Sequence, residues 1–200
     1  MKKIYRHIVF WLMETSFYRN LLKNIIPYIR FSTYYTKLRG SVYHRLYKKL
    51  EPGDVLLSLD RKKLTTLLIP GDFSHASLCV DIASDWEVSE MTHNDYTKST
   101  FFDICKESDR VVIMRLINAT PMTLVDAVSR CKGFEGATYD VRFDLGIESL
   151  YCSELVYQSF KDNVLGASID DLVGLGRPYI SPTGLYRAKN LILIADSDDL

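Results

Sequence analysis

The chain has 200 residues, enough for one domain with a substantial core, and its 25 lysines and arginines cancel its 25 aspartates and glutamates. That balance excludes the broad positive field of a nucleic-acid-binding domain, although residues 1–50 are strongly basic and the tail Asp196-Ser197-Asp198-Asp199-Leu200 is acidic. Cys79, Cys105, Cys131 and Cys152 are too widely and irregularly spaced for a disulfide framework or a paired C-x-x-C zinc site, which points to a reducing, cytoplasmic setting.

The basic start runs into the apolar stretch Ile8-Val9-Phe10-Trp11-Leu12-Met13, which ends at Glu14. It is shorter than the apolar region of a signal peptide, no small-residue cleavage site follows, and it is far too short to span a bilayer. Beyond it, Leu21, Leu22, Ile25, Ile26 and Ile29 are interleaved with Arg19, Lys23 and Arg30, the pattern of one or two amphipathic helices broken near Pro27. Such an extension, residues 1–50, either packs on the domain that follows or, with Phe10, Trp11 and Phe17 beside basic residues, makes peripheral contact with a membrane or a partner.

Glu51-Pro52-Gly53-Asp54 marks a turn and the start of the core domain, residues 51–200, with Val55–Leu59 as its first strand. Residues 62–70 are ambiguous. Phe73–Ile82 alternates, with Ala76, Leu78, Val80 and Ile82 on one face and His75, Ser77, Cys79 and Asp81 on the other. Trp86–Met91 is a second strand. If Ala83-Ser84 is a two-residue hairpin loop, Ile82 opposes Asp85, Ser77 opposes Glu90, and His75 becomes the diagonal neighbour of Glu90, about 7–8 Å away along the backbone and within side-chain reach. A one-residue slip would bring Glu87 to that face instead.

Residues 92–108 read as loop with a short helical turn, and Arg110–Leu116 as a third strand. Thr120 and Pro121 open a helix whose apolar face is Leu124, Val125, Val128 and Cys131, stopped by Gly133. A second helix starts between Ser149 and Cys152. Its apolar stripe is Leu155, Val156 and Phe160, with Cys152 on or beside it and Glu154, Gln158 and Lys161 on other sides. Residues 172–184 are Gly/Pro-rich loop, and Leu191–Ala195 closes as a strand.

A cysteine at the first turn of a helix sits among unpaired backbone N–H groups, which favour an anion. With a neighbouring imidazolium, a thiol that ordinarily titrates near ~8.5 becomes substantially ionised at neutral pH. A cysteine hydrolase needs that thiolate, an imidazole, and a polar group to orient the imidazole. The chain can supply all three, although a lone cysteine on an apolar helix face is more often simply core.

Pro52-Gly53-Asp54-Val55-Leu56-Leu57, Ser74-His75-Ala76-Ser77-Leu78, Val88-Ser89-Glu90, Tyr139-Asp140 and Tyr151-Cys152-Ser153-Glu154-Leu155-Val156 follow one another in an order that resembles the YaeF/YiiX-like permuted papain-like amidases. These form part of the circularly permuted branch of the NlpC-type cysteine peptidase superfamily. The resemblance implies an α+β, circularly permuted papain-like fold, with an antiparallel sheet packed against the helix that carries the cysteine. It further implies an amidase or peptidase with Cys152 as nucleophile, His75 as base and Glu90 as orienting residue, acting on a peptide, peptidoglycan-like or other acyl substrate without metal or organic cofactor. Tyr139-Asp140 matches a structural support in the family. Some permuted relatives, the lecithin:retinol acyltransferase-like proteins among them, act on lipid acyl groups, and the amphipathic N-terminus keeps that alternative open beside a non-catalytic binding module of the same fold.

Overall fold

The computed structural model describes residues 15–29, 38, 40–63, 66, 69, 71–81, 87–171 and 177–200. The apolar run Ile8–Met13, the Ala83-Ser84 loop with Ile82 and Asp85, much of the ambiguous stretch 62–70, and residues 172–176 lie outside that set. No described helix is long and apolar enough to cross a membrane.

A six-stranded antiparallel sheet organises the chain. Its strands are β1 (Val55–Leu59), β2 (His75–Asp81), β3 (Glu87–Thr92), β4 (Asp95–Thr100), β5 (Arg110–Leu116) and β10 (Leu191–Asp196), in the spatial order β10-β5-β1-β2-β3-β4. Short pairs, β6 (Thr138–Tyr139) with β7 (Ser149–Leu150) and β8 (Asp170–Asp171) with β9 (Pro178–Tyr179), lie outside it. β1 is buried along its whole length because both faces of the sheet are covered, so it reads as a continuous apolar run rather than an alternating one. Val55 and Leu57 join one core with Ala76, Leu78, Ala127, Cys131, Leu155 and Val156. On the other face, Leu56 joins Leu46, Cys79, Val88, Phe101 and Ile104.

The helices divide between these layers. α4 (Pro121–Gly133) and α5 (Cys152–Ser159) cover the first face, while α2 (Ser41–Tyr47) and α3 (Phe101–Glu107) cover the second. α1 (Ser16–Asn24), capped by Thr15, runs into a 3-10 turn at Ile26–Tyr28 that contains Pro27, as the helix-breaking role of proline requires. On α4 the buried and half-buried face is Leu124, Ala127, Val128 and Cys131. Val125, expected on that face, is instead 62% exposed, one step of about 100° round the helix from Leu124.

Two segments expected as loop are ordered: residues 95–100 form β4, and residues 182–186 form a helix. The short helical turn expected before residue 108 is α3, where Thr100 and Asp103 make a reciprocal capping box. β4 is an edge strand carrying Thr97, Lys98, Ser99 and Thr100, whose polarity hides it from an apolar pattern search. α6 (Pro182–Tyr186) opens with Ser181 as cap and Pro182 in the first turn, the same signal that opens α4.

α6 also fixes the entry to β2. Thr183 Oγ1 accepts from the Asp72 and Phe73 amides at 2.9 and 3.2 Å. Gly71 stands beside it at φ +122°, where a Cβ would collide with the Thr183 side chain. Gly71→Ala should therefore destabilise the fold by about 2–4 kcal/mol in chemical denaturation, from backbone strain plus overpacking. A loss under about 1 kcal/mol would mean that the turn yields and does not pin the strand.

Candidate active site

α5 begins at Cys152 because Tyr151, just before it, is extended (φ −105°, ψ 172°) and its side chain is committed elsewhere. The Tyr151 hydroxyl accepts from the Ile180 amide at 2.8 Å, and Ser153 Oγ donates to the Ile180 carbonyl at 2.7 Å. The first turn is thus pinned through both the N–H and the C=O of one residue, Ile180. Cys152 is 2% exposed and belongs to the core of the α4/α5 face.

His75 is the first residue of β2 and Glu90 lies on β3, with Ser77 opposite Glu90 as the hairpin reading requires. Nearer the turn the register departs from the two-residue-loop reading, which would set Asp81 opposite Trp86: after a shift between Cys79 and Asp81, Asp81 lies opposite Glu87. His75 Nε2 meets Glu90 Oε2 at 2.5 Å. Glu90 is only 7% exposed, not solvated as an ordinary strand glutamate would be, and its Oε1 accepts from Ser99 Oγ on β4 at 2.5 Å. With Nε2 so engaged, Nδ1 is the ring nitrogen left for the Cys152 thiol, with which the imidazole shares a hydrogen bond. By strand alternation His75 lies on the face opposite the α5 core. It reaches the thiol because it stands at the very end of its strand.

Electrostatics at the three residues are mutually reinforcing. Burial alone would lower the imidazole pKa, but the hydrogen bonds and charges of Cys152 and Glu90 outweigh it and raise His75 to about 10. Burial would raise the Cys152 thiol, yet the His75 hydrogen bond and charge, with backbone amides of Ala76 and Ser153, bring it below the ordinary value. Glu90 behaves alike: burial opposes ionisation, and His75 and then Ser99 more than offset it. Cys79 and Cys131, by contrast, are pushed up by burial, Cys131 to about 11. Of these three cysteines Cys152 alone is drawn toward the thiolate, and a thiolate beside an imidazolium can attack a carbonyl carbon and hand on a proton.

An aromatic wall borders this group. Tyr139 lies close enough to feel the charge of Cys152, and burial holds its phenol well above the ordinary range. Phe143, at φ +58°, stacks its ring 5.2 Å from that of Tyr151, and Tyr18 of α1 packs onto the same cluster with Tyr179. Asp95 Oδ1 accepts from both Lys23 Nζ and the Tyr139 amide, each at 2.8 Å, so α1 is tied to the strand that carries Tyr139.

Sequence reasoning misses Ser99 because the polar residues of β4 read as loop; the β-formers Tyr96, Thr97 and Thr100 after the His93-Asn94 turn are the signal that could find the strand. It also set Glu154 away from the buried stripe, whereas Glu154 is fully buried. α5 is enclosed by α4, the sheet and the 140–148 loop, so most of its first turn is interior whatever its polarity.

Glu90→Gln preserves shape and removes the charge, so the imidazolium loses its partner. The His75 pKa should fall from about 10 by at least about one unit, measured by NMR titration of the ring. An unchanged titration would show that Cys152 alone sustains the protonated imidazole.

A family model described as "Permuted papain-like amidase enzyme, YaeF/YiiX, C92 family" matches residues 49–180. No curated protein matches the chain. Among solved structures, the crystal structure of metalloprotein yiiX from Escherichia coli is similar at a TM-score of 0.59 and 17% identity, over 74% of this chain and 97% of that one. At such identity the likeness concerns the fold. Among the described residues of this chain, no group of three or more His, Cys, Asp or Glu is placed to hold a metal ion. The family match takes in well over half of the chain, from the residues before β1 to Ile180 beside the cysteine helix, and the chain belongs to the permuted papain-like amidase family.

Proposed function

We propose that the chain is a cysteine hydrolase of the amidase or peptidase type, with Cys152 as nucleophile, His75 as acid and base, and Glu90 as the group that orients His75. The observation that carries this reading is the buried chain of hydrogen bonds from Cys152 through the imidazole to Glu90. Cys152 Sγ attacks the carbonyl carbon of an amide. The resulting oxyanion is received at the first turn of α5, where the Cys152 N–H points. His75 passes its proton to the leaving amine as the C–N bond breaks, leaving a thioester. Water then gives a proton to His75 and its oxygen to the acyl carbon, which releases the acid and restores the thiolate. The imidazolium draws the thiol toward the thiolate, so activation of the nucleophile falls to His75. A small peptide or peptidoglycan-like amide fits the amidase description of the family.

A second reading, action on a lipid acyl group at a membrane surface, is favoured by α1 and its 3-10 turn. Phe17 is 71% exposed, and Ile25, Tyr28 and Ile29 are also exposed. Between Glu14 and Glu51 the chain carries no acidic residue, so this apolar rim sits in a basic segment suited to anionic headgroups.

Iodoacetamide at mildly acidic pH should label Cys152 at least about tenfold faster than Cys79, Cys105 or Cys131, by peptide mass spectrometry, and His75→Ala should abolish the advantage. Equal, slow labelling of all four would sink the enzyme reading and leave a binding module. Flotation of the whole chain with phosphatidylserine vesicles at low salt separates the substrate classes. Absence from the vesicle fraction removes the lipid reading and leaves the amidase.

A further inference from the structure

Glu154 is a second buried ionisable group on α5, and the proposed reaction does not use it. Its Oε1 accepts from the Gly146 amide at 2.6 Å, and Gln158 Nε2, one turn later, donates to the Gly146 carbonyl at 3.0 Å. One residue of the 140–148 loop is therefore held through both its N–H and its C=O by residues at helical spacing i and i+4. Glu154 Oε2 is buried without a hydrogen-bond partner. Among the described residues no cation pairs with this carboxyl, and an ionised carboxylate is costly to bury unpaired.

The loop that it holds is built as a unit. Asp140 accepts from the Arg142 and Asp144 amides at 2.8 and 2.6 Å, and Arg177 donates to the Arg142 carbonyl and pairs with Asp144. The loop leaves from Tyr139 and returns through Ser149-Leu150 to Tyr151, so both of its ends abut Cys152. Phe143 keeps a left-handed backbone within it to reach Tyr151. Few non-glycine residues hold that conformation unless their surroundings enforce it.

We propose that Glu154 and Gln158 form a latch that closes the 140–148 loop against the start of α5, and that loss of the Glu154 proton releases it. Glu154 is on this account a positioning residue: it sets the wall beside the thiol and does not touch substrate. Burial, and after it the charge of Asp140, raise its carboxyl to about 7, against the hydrogen bond from the Gly146 amide that favours ionisation. The neighbouring Tyr151 phenol is kept neutral by burial and adds no charge of its own. A carboxyl that titrates near 4.5 when the loop is open and about 7 when it is closed stabilises the closed form fully below 4.5. That stabilisation drains away as pH rises to about 7 and is then constant.

The test is hydrogen exchange at the Gly146 amide in the full chain, corrected at each pH for intrinsic exchange. Protection should fall at least about tenfold from pH 5 to pH 7 and level off by pH 8. E154Q keeps a carbonyl acceptor for Gly146 and cannot titrate, so its protection should be flat across the window. Q158A, which loosens only the carbonyl side, should lower protection at every pH and keep the wild-type slope. A flat wild-type profile, a sloping E154Q profile, or Q158A protection equal to wild type each overturns the latch. Alkylation of Cys152 gives a second readout, which rests on the proposed function. A step near pH 7 that E154Q lacks belongs to Glu154, whereas titration of the Cys152–His75 pair itself would appear in both chains. If Cys152 proves unreactive, the function is lost and the exchange data still decide the latch.

Discussion

The register of β2 against β3 is the constraint on which the site depends. With Ser77 opposite Glu90, the first residue of one strand and a middle residue of the other turn their side chains to the same face, one diagonal step apart. Slipped by one residue, Glu90 would face the α5 core and His75 would lose its carboxylate. The register is not left to the hairpin loop alone. Leu78, Val80 and Met91 are fixed on one core and Cys79 and Val88 on the other, so any slip would exchange buried apolar groups for polar ones on both faces at once.

That constraint places three ionisable groups where burial works against the charged form of each, and each survives through its neighbour. A lone buried carboxylate, imidazolium or thiolate would neutralise instead. The Ser99 hydroxyl and the amides of Ala76 and Ser153 complete the set of donors. The group is therefore cooperative, and single substitutions within it should not be read as additive contributions of one residue.

Much of this was legible in the sequence where periodicity and end signals coincide. The alternation through residues 75–81 and the Thr120-Pro121 start each encode their own element, and the distance of Glu90 from the turn gave its diagonal position. Polar residues whose setting is long-range were not legible. Ser99 acquires its role only once the β3–β4 hairpin forms, and nothing in the local pattern around Glu154 announces that a distant loop will fold over it. The positive φ of Phe143 is likewise invisible locally, since its cause is the aromatic cluster that Tyr151 and Tyr179 build around it.

The contact between Thr183 and the turn before β2 has a consequence for the order in which the molecule is made. The hydroxyl that receives the Asp72 and Phe73 amides stands 111 residues after Asp72. A chain growing from its N-terminus has synthesised both His75 and Cys152 well before that hydroxyl emerges. The turn that delivers His75 to the end of its strand is completed only when nearly the whole chain is available. Full assembly of the thiol with its imidazole is thereby tied to completion of the fold.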